Sequence, residues 1–173
     1  MKISLKTDKE TILKLLKDSD IDKKLKIFNN LDELNENDRI RVLLKILEDG
    51  SWCLREKATR ELAPFGTKIV PRLIRICERG FWFSRAAACI TLGEIGDTRA
   101  IGALIELILG DENPTVIREA HQALLKIAGS RPEEFFSQLD AYLKEPLTRE
   151  RFLIRLQKIN PRLYKMIQDR RHA

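Results

Sequence analysis

An internal repeat constrains the fold more than any other feature of this chain. The stretches EDGSWCLREKATRELAPFG and ERGFWFSRAAACITLGEIG begin thirty residues apart. Gly50, Trp52, Arg55, Ala58, Leu62 and Gly66 of the first are answered in register by Gly80, Trp82, Arg85, Ala88, Leu92 and Gly96 of the second. A unit this short cannot bury a core alone. Self-similarity at such a period therefore predicts stacked units that share one continuous apolar interior.

Each copy reads as helical. Ala88, Leu92 and Ile95 recur at spacings of four and three, which puts them on one helix face, and Ala58, Leu62 and Phe65 do the same. The glycine that follows, Gly66 or Gly96, suits the left-handed position that ends a helix. Asp97 is placed to cap a second helix whose stripe is Ile101, Leu104, Ile105 and Ile108. TKIVPRLIRIC is the matching second helix of the earlier unit, with Val70, Leu73, Ile74 and Cys77 as its stripe. A third copy carries Val116, Ala120, Leu124 and Ile127. Upstream, RIRVLLKILEDG supplies Ile40, Leu43, Leu44 and Leu47, and the degenerate IDKKLKIFNNLDEL supplies Ile21, Leu25, Phe28 and Leu31. DKETILKLLKD at one end, and EEFFSQLDAYL, LTRERFLIRLQKI and PRLYKMIQDRR at the other, continue the helices with less regular sequence. Turns are expected at Gly66, Gly96 and near Gly129 within units, and at Gly50, Gly80 and Gly110 between them.

The phrase SRAAACITLGEIGDTRAIGALIELIL resembles a HEAT repeat of the short bacterial type, often named after the phycobilisome bilin lyases that contain it. The pattern V-R-x-x-A-x-x-x-L-G-x-I-G-D-x-R-A-I-x-x-L-I runs from Arg85 to Ile105, with Ser84 in place of its Val. Unit 51–80 keeps most of it but has Thr67 where the Asp would be, and unit 111–143 shifts its Arg to Arg118. The resemblance implies an all-α fold, a right-handed α-solenoid of about five HEAT-type helical hairpins. It also implies a single domain over 1–173, clearest at 37–130, with N-terminal cap helices at 1–36 and basic C-terminal cap helices at 144–173. Such a pattern specifies a fold tightly and a function loosely.

Several function classes find no support in the residues. No apolar run is long enough for a membrane span, and neither end carries a leader or lipid-anchor motif, so a cytoplasmic address and no membrane partner are expected. Cys53, Cys77 and Cys89 are odd in number without C-x-x-C spacing, which predicts small buried thiols in a reducing compartment. His121 and His172 lack ligand-spaced companions. HEAT-type deoxyhypusine hydroxylases hold metal through His-Glu dipeptides, whereas here His121 precedes Gln122 and His172 precedes Ala173. Asp97 and Arg99 read as a helix cap with an inter-repeat ion pair. GEIG follows no strand, and no G-x-S-x-G elbow exists. The expectation is a non-enzymatic scaffold or adaptor with no catalytic residue, no cofactor and no metal.

Where a partner would bind is suggested by charge and by the tryptophans. Residues 1–50 are neutral overall, 51–100 carry +4, 101–143 carry −4 and 144–173 carry +6. Off the apolar stripes of the second helices lie Arg41 and Lys45, then Lys68, Arg72 and Arg75, then Arg99 and Glu106, the basic group predicting a strip. Trp52 and Trp82 open the first helix of their units, where small or polar residues are usual, with Arg55 and Arg85 one turn on and Phe81 and Phe83 beside the second ring. The expected binding face is Trp52, Arg55, Trp82, Arg85, Arg72 and Arg75, and the expected partner is a protein presenting an acidic segment or helix. The alternative is nucleic acid in a basic groove, as in the HEAT-like alkylpurine DNA glycosylases. Phosphates would be repelled by the acidic third unit.

Overall fold

The computed structural model describes residues 9–171, so His172 lies outside them. Among the described residues the chain forms eleven α-helices, three short 3-10 turns and no strand. It divides into two compact units, Met1–Leu62 and Ala63–Ala173. The division falls inside the repeat 51–80.

The first unit holds α1 (Lys9–Asp18), α2 (Ile21–Phe28), a 3-10 turn (Leu31–Glu33), α3 (Glu36–Ile46) and α4 (Trp52–Leu62). Asp20 and Asn35 cap α2 and α3 by accepting from the backbone N–H of Lys23 and Asp38. α1 packs on α2 and α3, and α3 packs on α4. Ile40, Leu43 and Leu47 are buried as the stripe predicts while Leu44 is half-buried, and Val42 and Ile46 are buried too, because α3 is covered on more than one side. The degenerate stripe before it is corrected. Leu31 is buried as expected, but Ile21 is exposed, Leu25 and Phe28 are half-buried, and the residue of α2 that enters the core is Ile27. With only eight residues, α2 buries little more than one turn. Lys24 holds Asp49 at 2.6 Å, and Arg39 pairs with both Asp32 and Glu61.

The second unit opens with a 3-10 segment (Ala63–Lys68), then α5 (Val70–Arg79), α6 (Trp82–Ile95), a 3-10 turn (Thr98–Ala100) and α7 (Ile101–Gly110). It continues through α8 (Pro114–Ser130), α9 (Pro132–Tyr142), α10 (Pro146–Ile159) and α11 (Pro161–Arg171). A proline opens each of the last four, where its missing N–H costs nothing and its fixed φ favours the first turn. α6 lies along α8 and α5 along α7, with α5 against α6 and α7 against α8 joining the two layers. Gly93 sets the closest approach: a Cβ there would stand 2.9 Å from the Ala123 Cα.

Ala88, Leu92, Ile101, Leu104, Ile105, Ile108, Val116, Ala120, Leu124 and Ile127 are all buried, matching most of the stripes read from the repeats, whereas Phe65, Ile74 and Ile95 are half-buried. Each fully buried Leu, Ile or Val side chain contributes about 1.5–3 kcal/mol. Gly66 (φ 60°) and Gly96 (φ 71°) turn the chain with positive φ, which L side chains resist. Gly129 does not make the third such turn. It sits inside α8, which runs on to Ser130 before Arg131 breaks the helix. At the far end α9, α10 and α11 close the core over Phe135, Phe152, Leu156 and Leu163, and Arg170 clasps Glu133 with two hydrogen bonds while stacking 4.7 Å from the Phe136 ring.

Candidate protein-interaction surface

Trp52 is the first residue of α4 and is 69% exposed; Trp82 is the first residue of α6 and is 47% exposed. Phe81, just before α6, is 68% exposed. Its ring stacks on Phe83 at 5.4 Å, and Trp82 meets Phe83 edge-on at 5.7 Å. Phe83 is half-buried and anchors the group. Three aromatic rings thus form one connected patch at the corner between α5 and α6. Trp52 belongs to the first unit and stands at the corner between α3 and α4.

The repeated arginines point inward to their own loops. Arg55 donates to the Asp49 carbonyl at 2.6 Å, and Arg85 donates to the Gly80 carbonyl at 2.8 Å. Arg85 also grips both carboxylate oxygens of Asp111, at 2.6 and 2.9 Å. Asp111 is itself a loop organiser, accepting from the Asn113 backbone N–H at 2.8 Å, just as Asp49 accepts from the Ser51 N–H at 2.8 Å. Burial pushes the Asp111 carboxyl up, but the Arg85 hydrogen bonds and the loop N–H outweigh it and the net direction is down. Hence the Arg of the repeat fastens the loop that precedes its own helix, and Arg85 also reaches the next inter-unit loop through Asp111. In the middle copy the loop aspartate is replaced by Arg79.

Arg72 and Arg75 are exposed on α5. The wider basic strip is largely matched by acids: Lys45 pairs with Glu48 at 2.5 Å, and Arg41 reaches Asp38 at 4.0 Å. Arg99 pairs with Asp97 at 2.6 Å and holds the Asp97 carboxyl below its usual range. The Asp97–Arg99 pair lies within one repeat, and the link between repeats is the Arg99 hydrogen bond to the Thr67 carbonyl at 3.0 Å.

The thiol expectation is corrected at one position. Cys77 and Cys89 are buried, but Cys53 follows Trp52 on the exposed start of α4 and is open to solvent. Hydrogen bonding to Cys77 and burial hold the Cys89 thiol well above its ordinary range, which keeps it protonated. His121 is 1% exposed, and among the described residues neither ring nitrogen has a hydrogen-bond partner. Burial, then the nearby Arg155 charge, lowers it to about 4, so the ring is neutral at pH 7.

A feature that periodicity alone misses is a groove of about 610 Å³ bordered by α5, α7 and α9. Ile74, Cys77, Ala103 and Leu107 give it an apolar wall, and Glu78, Glu106 and Glu112 stand exposed around it. Tyr142 from α9 lies over Gly102, where a Cβ would be only 2.7 Å from the ring. Its hydroxyl donates to Glu106 at 2.5 Å, and burial together with that carboxylate pushes the phenol up to about 12. The groove joins residues from three helices separated by intervening segments. Its only trace in sequence is Glu106, which stands off the α7 stripe.

A family model described as HEAT repeats matches the chain twice, over residues 40–126 and 70–157. No curated protein matches.

Proposed function

The chain belongs to the HEAT-repeat proteins, and from that premise we propose that it is a non-enzymatic scaffold or adaptor whose task is to bind another protein. HEAT repeats commonly serve as protein-interaction scaffolds. The observation that carries the reading is the connected patch Phe81, Trp82 and Phe83, in which two large rings are left open to solvent at a repeat corner. Exposed apolar surface is usual on proteins, but a clustered aromatic patch marks an interaction site, and tryptophan is enriched where binding energy concentrates.

In this reading Trp52 and Trp82 contact the partner directly, each from its own unit, and Arg72 and Arg75 add exposed hydrogen-bond donors. Arg55 and Arg85 act as positioning residues that fix the loops carrying the rings. Carboxylates at the α5–α7–α9 groove oppose a phosphate backbone there, which favours protein over nucleic acid.

The test is capture from native lysate with the tagged full chain, before and after nuclease treatment. A protein retained by the wild type and lost with Trp82→Ala, while circular dichroism stays unchanged, is the expected result. Identical recovery with Trp52→Ala and Trp82→Ala would remove both rings from the function. Loss of all capture after nuclease would replace the protein reading with the nucleic-acid one.

A further inference from the structure

We propose that the groove between α5, α7 and α9 receives an arginine or lysine side chain from a basic segment of the partner protein. This deepens the protein-binding reading above and rests on it. The groove offers an apolar wall of Ile74, Cys77 and Leu107 beneath an acidic mouth of Glu78, Glu106 and Glu112. That combination suits a side chain with an aliphatic stem and a cationic head.

The charge balance sets the sign of the occupant. Two arginines line the groove, and both are already matched: Arg85 by Asp111 and Arg99 by Asp97. Glu78 and Glu112 have no ion-pair or hydrogen-bond partner among the described residues. Among the described residues Glu106 accepts from the neutral Tyr142 hydroxyl and from no cation. Three carboxylates therefore remain in excess. Arg75 and Arg79, also on α5, are exposed but do not line the groove.

Glu78 precedes Phe81 by three residues and Trp82 by four across the turn that ends α5, and none of these rings lines the groove, so the acidic mouth alone sets the attraction for a cation. An acidic partner, expected from the repeated arginines, would find Arg85 occupied and three carboxylates opposing it.

The chain's net charge of +6 disfavours general binding of a polycation, and the acidic stretch 101–143 outside the groove is controlled for by the second variant. Fluorescently labelled nona-arginine and nona-glutamate are titrated with the full chain and followed by anisotropy at low salt. Two variants of equal net charge are compared: Glu78→Gln/Glu112→Gln in the groove, and Glu134→Gln/Glu150→Gln outside it. The expected result is binding of nona-arginine that the groove variant weakens about tenfold, with the outside variant close to wild type. No binding of nona-arginine, equal weakening by both variants, or tighter binding of nona-glutamate would each overturn the inference. Capture from lysate separates it from the broader reading. If Trp82→Ala loses the partner while the groove variant keeps it, protein binding stands and the basic segment falls.

Discussion

Buried polar and small residues show most directly how individual positions are tuned. Gly93 lies mid-helix, where glycine costs about 0.5–1 kcal/mol relative to alanine, so its presence needs a packing reason. The reason is backbone: a methyl there would press on the Ala123 Cα at 2.9 Å, which no rotamer change relieves. Gly93→Ala should lose about 1–3 kcal/mol in urea titration despite better helix propensity; a gain in stability would show that α6 and α8 can separate freely. His121 makes a different prediction. Its lowered pKa means that the unfolded chain takes a proton before the folded one does. The stability it supports is present in full above pH 6.5 and is lost as pH falls toward about 4, by at most about 3 kcal/mol. His121→Leu should flatten the urea-midpoint profile between pH 7 and 4.5; an unchanged slope would locate the acid sensitivity elsewhere.

Elements were legible where the sequence repeats and obscure where it does not. α7 and α8 bury the stripes that spacing predicts, because neighbouring hairpins cover both and a single period describes each face. The Ile21, Leu25 and Phe28 stripe fails because α2 ends after eight residues, too short for a continuous face. The turn expected near Gly129 is there, but the capping position is Arg131 rather than a positive-φ glycine, and only the backbone shows which residue leaves the helix. The exposed tryptophans could be suspected from sequence, since bulky rings replace small corner residues. The inward turn of Arg85 could not, because its partner Asp111 lies 26 residues away on another loop. The groove carboxylates likewise meet only through tertiary packing. Element order also predicts a gradient of sensitivity. Leu92 on α6 is enclosed by neighbours in both layers, so Leu92→Ala should cost about 2–5 kcal/mol. Leu163 on α11 is as fully buried, but it lies in the last helix, where a linear array frays, so Leu163→Ala should cost less. Equal losses in urea would contradict a nearest-neighbour array.

At the scale of the whole molecule the chain behaves as two compact units of unequal size, and size decides their relative stability. Met1–Leu62 is about half as long as Ala63–Ala173. A smaller unit buries a smaller fraction of the surface its unfolded chain exposes, and chains of this length are marginal by themselves. The first unit also begins with the weakest repeat signal, whose helix α2 contributes Ile27 and little else to the core. The second carries the most regular repeat, that of α6 and α7, the Gly93 contact and the Glu133–Arg170 clasp. Stability in a repeat array is a sum of local terms and interfaces, so opening should be graded along the chain rather than uniform. Native-state hydrogen exchange across low urea concentrations measures this directly. Amides of α2 and α3 should exchange through openings of lower free energy and shallower urea dependence than those of α6, α7 and α8, since the smaller unit exposes less surface. The corner carrying Trp52 would then loosen under conditions that leave Phe81, Trp82 and the groove in place, so partner binding through the second unit should survive mild denaturant. A single opening free energy shared by α3 and α7 would mean that the two units unfold as one, and binding would then be lost in step with the first helices.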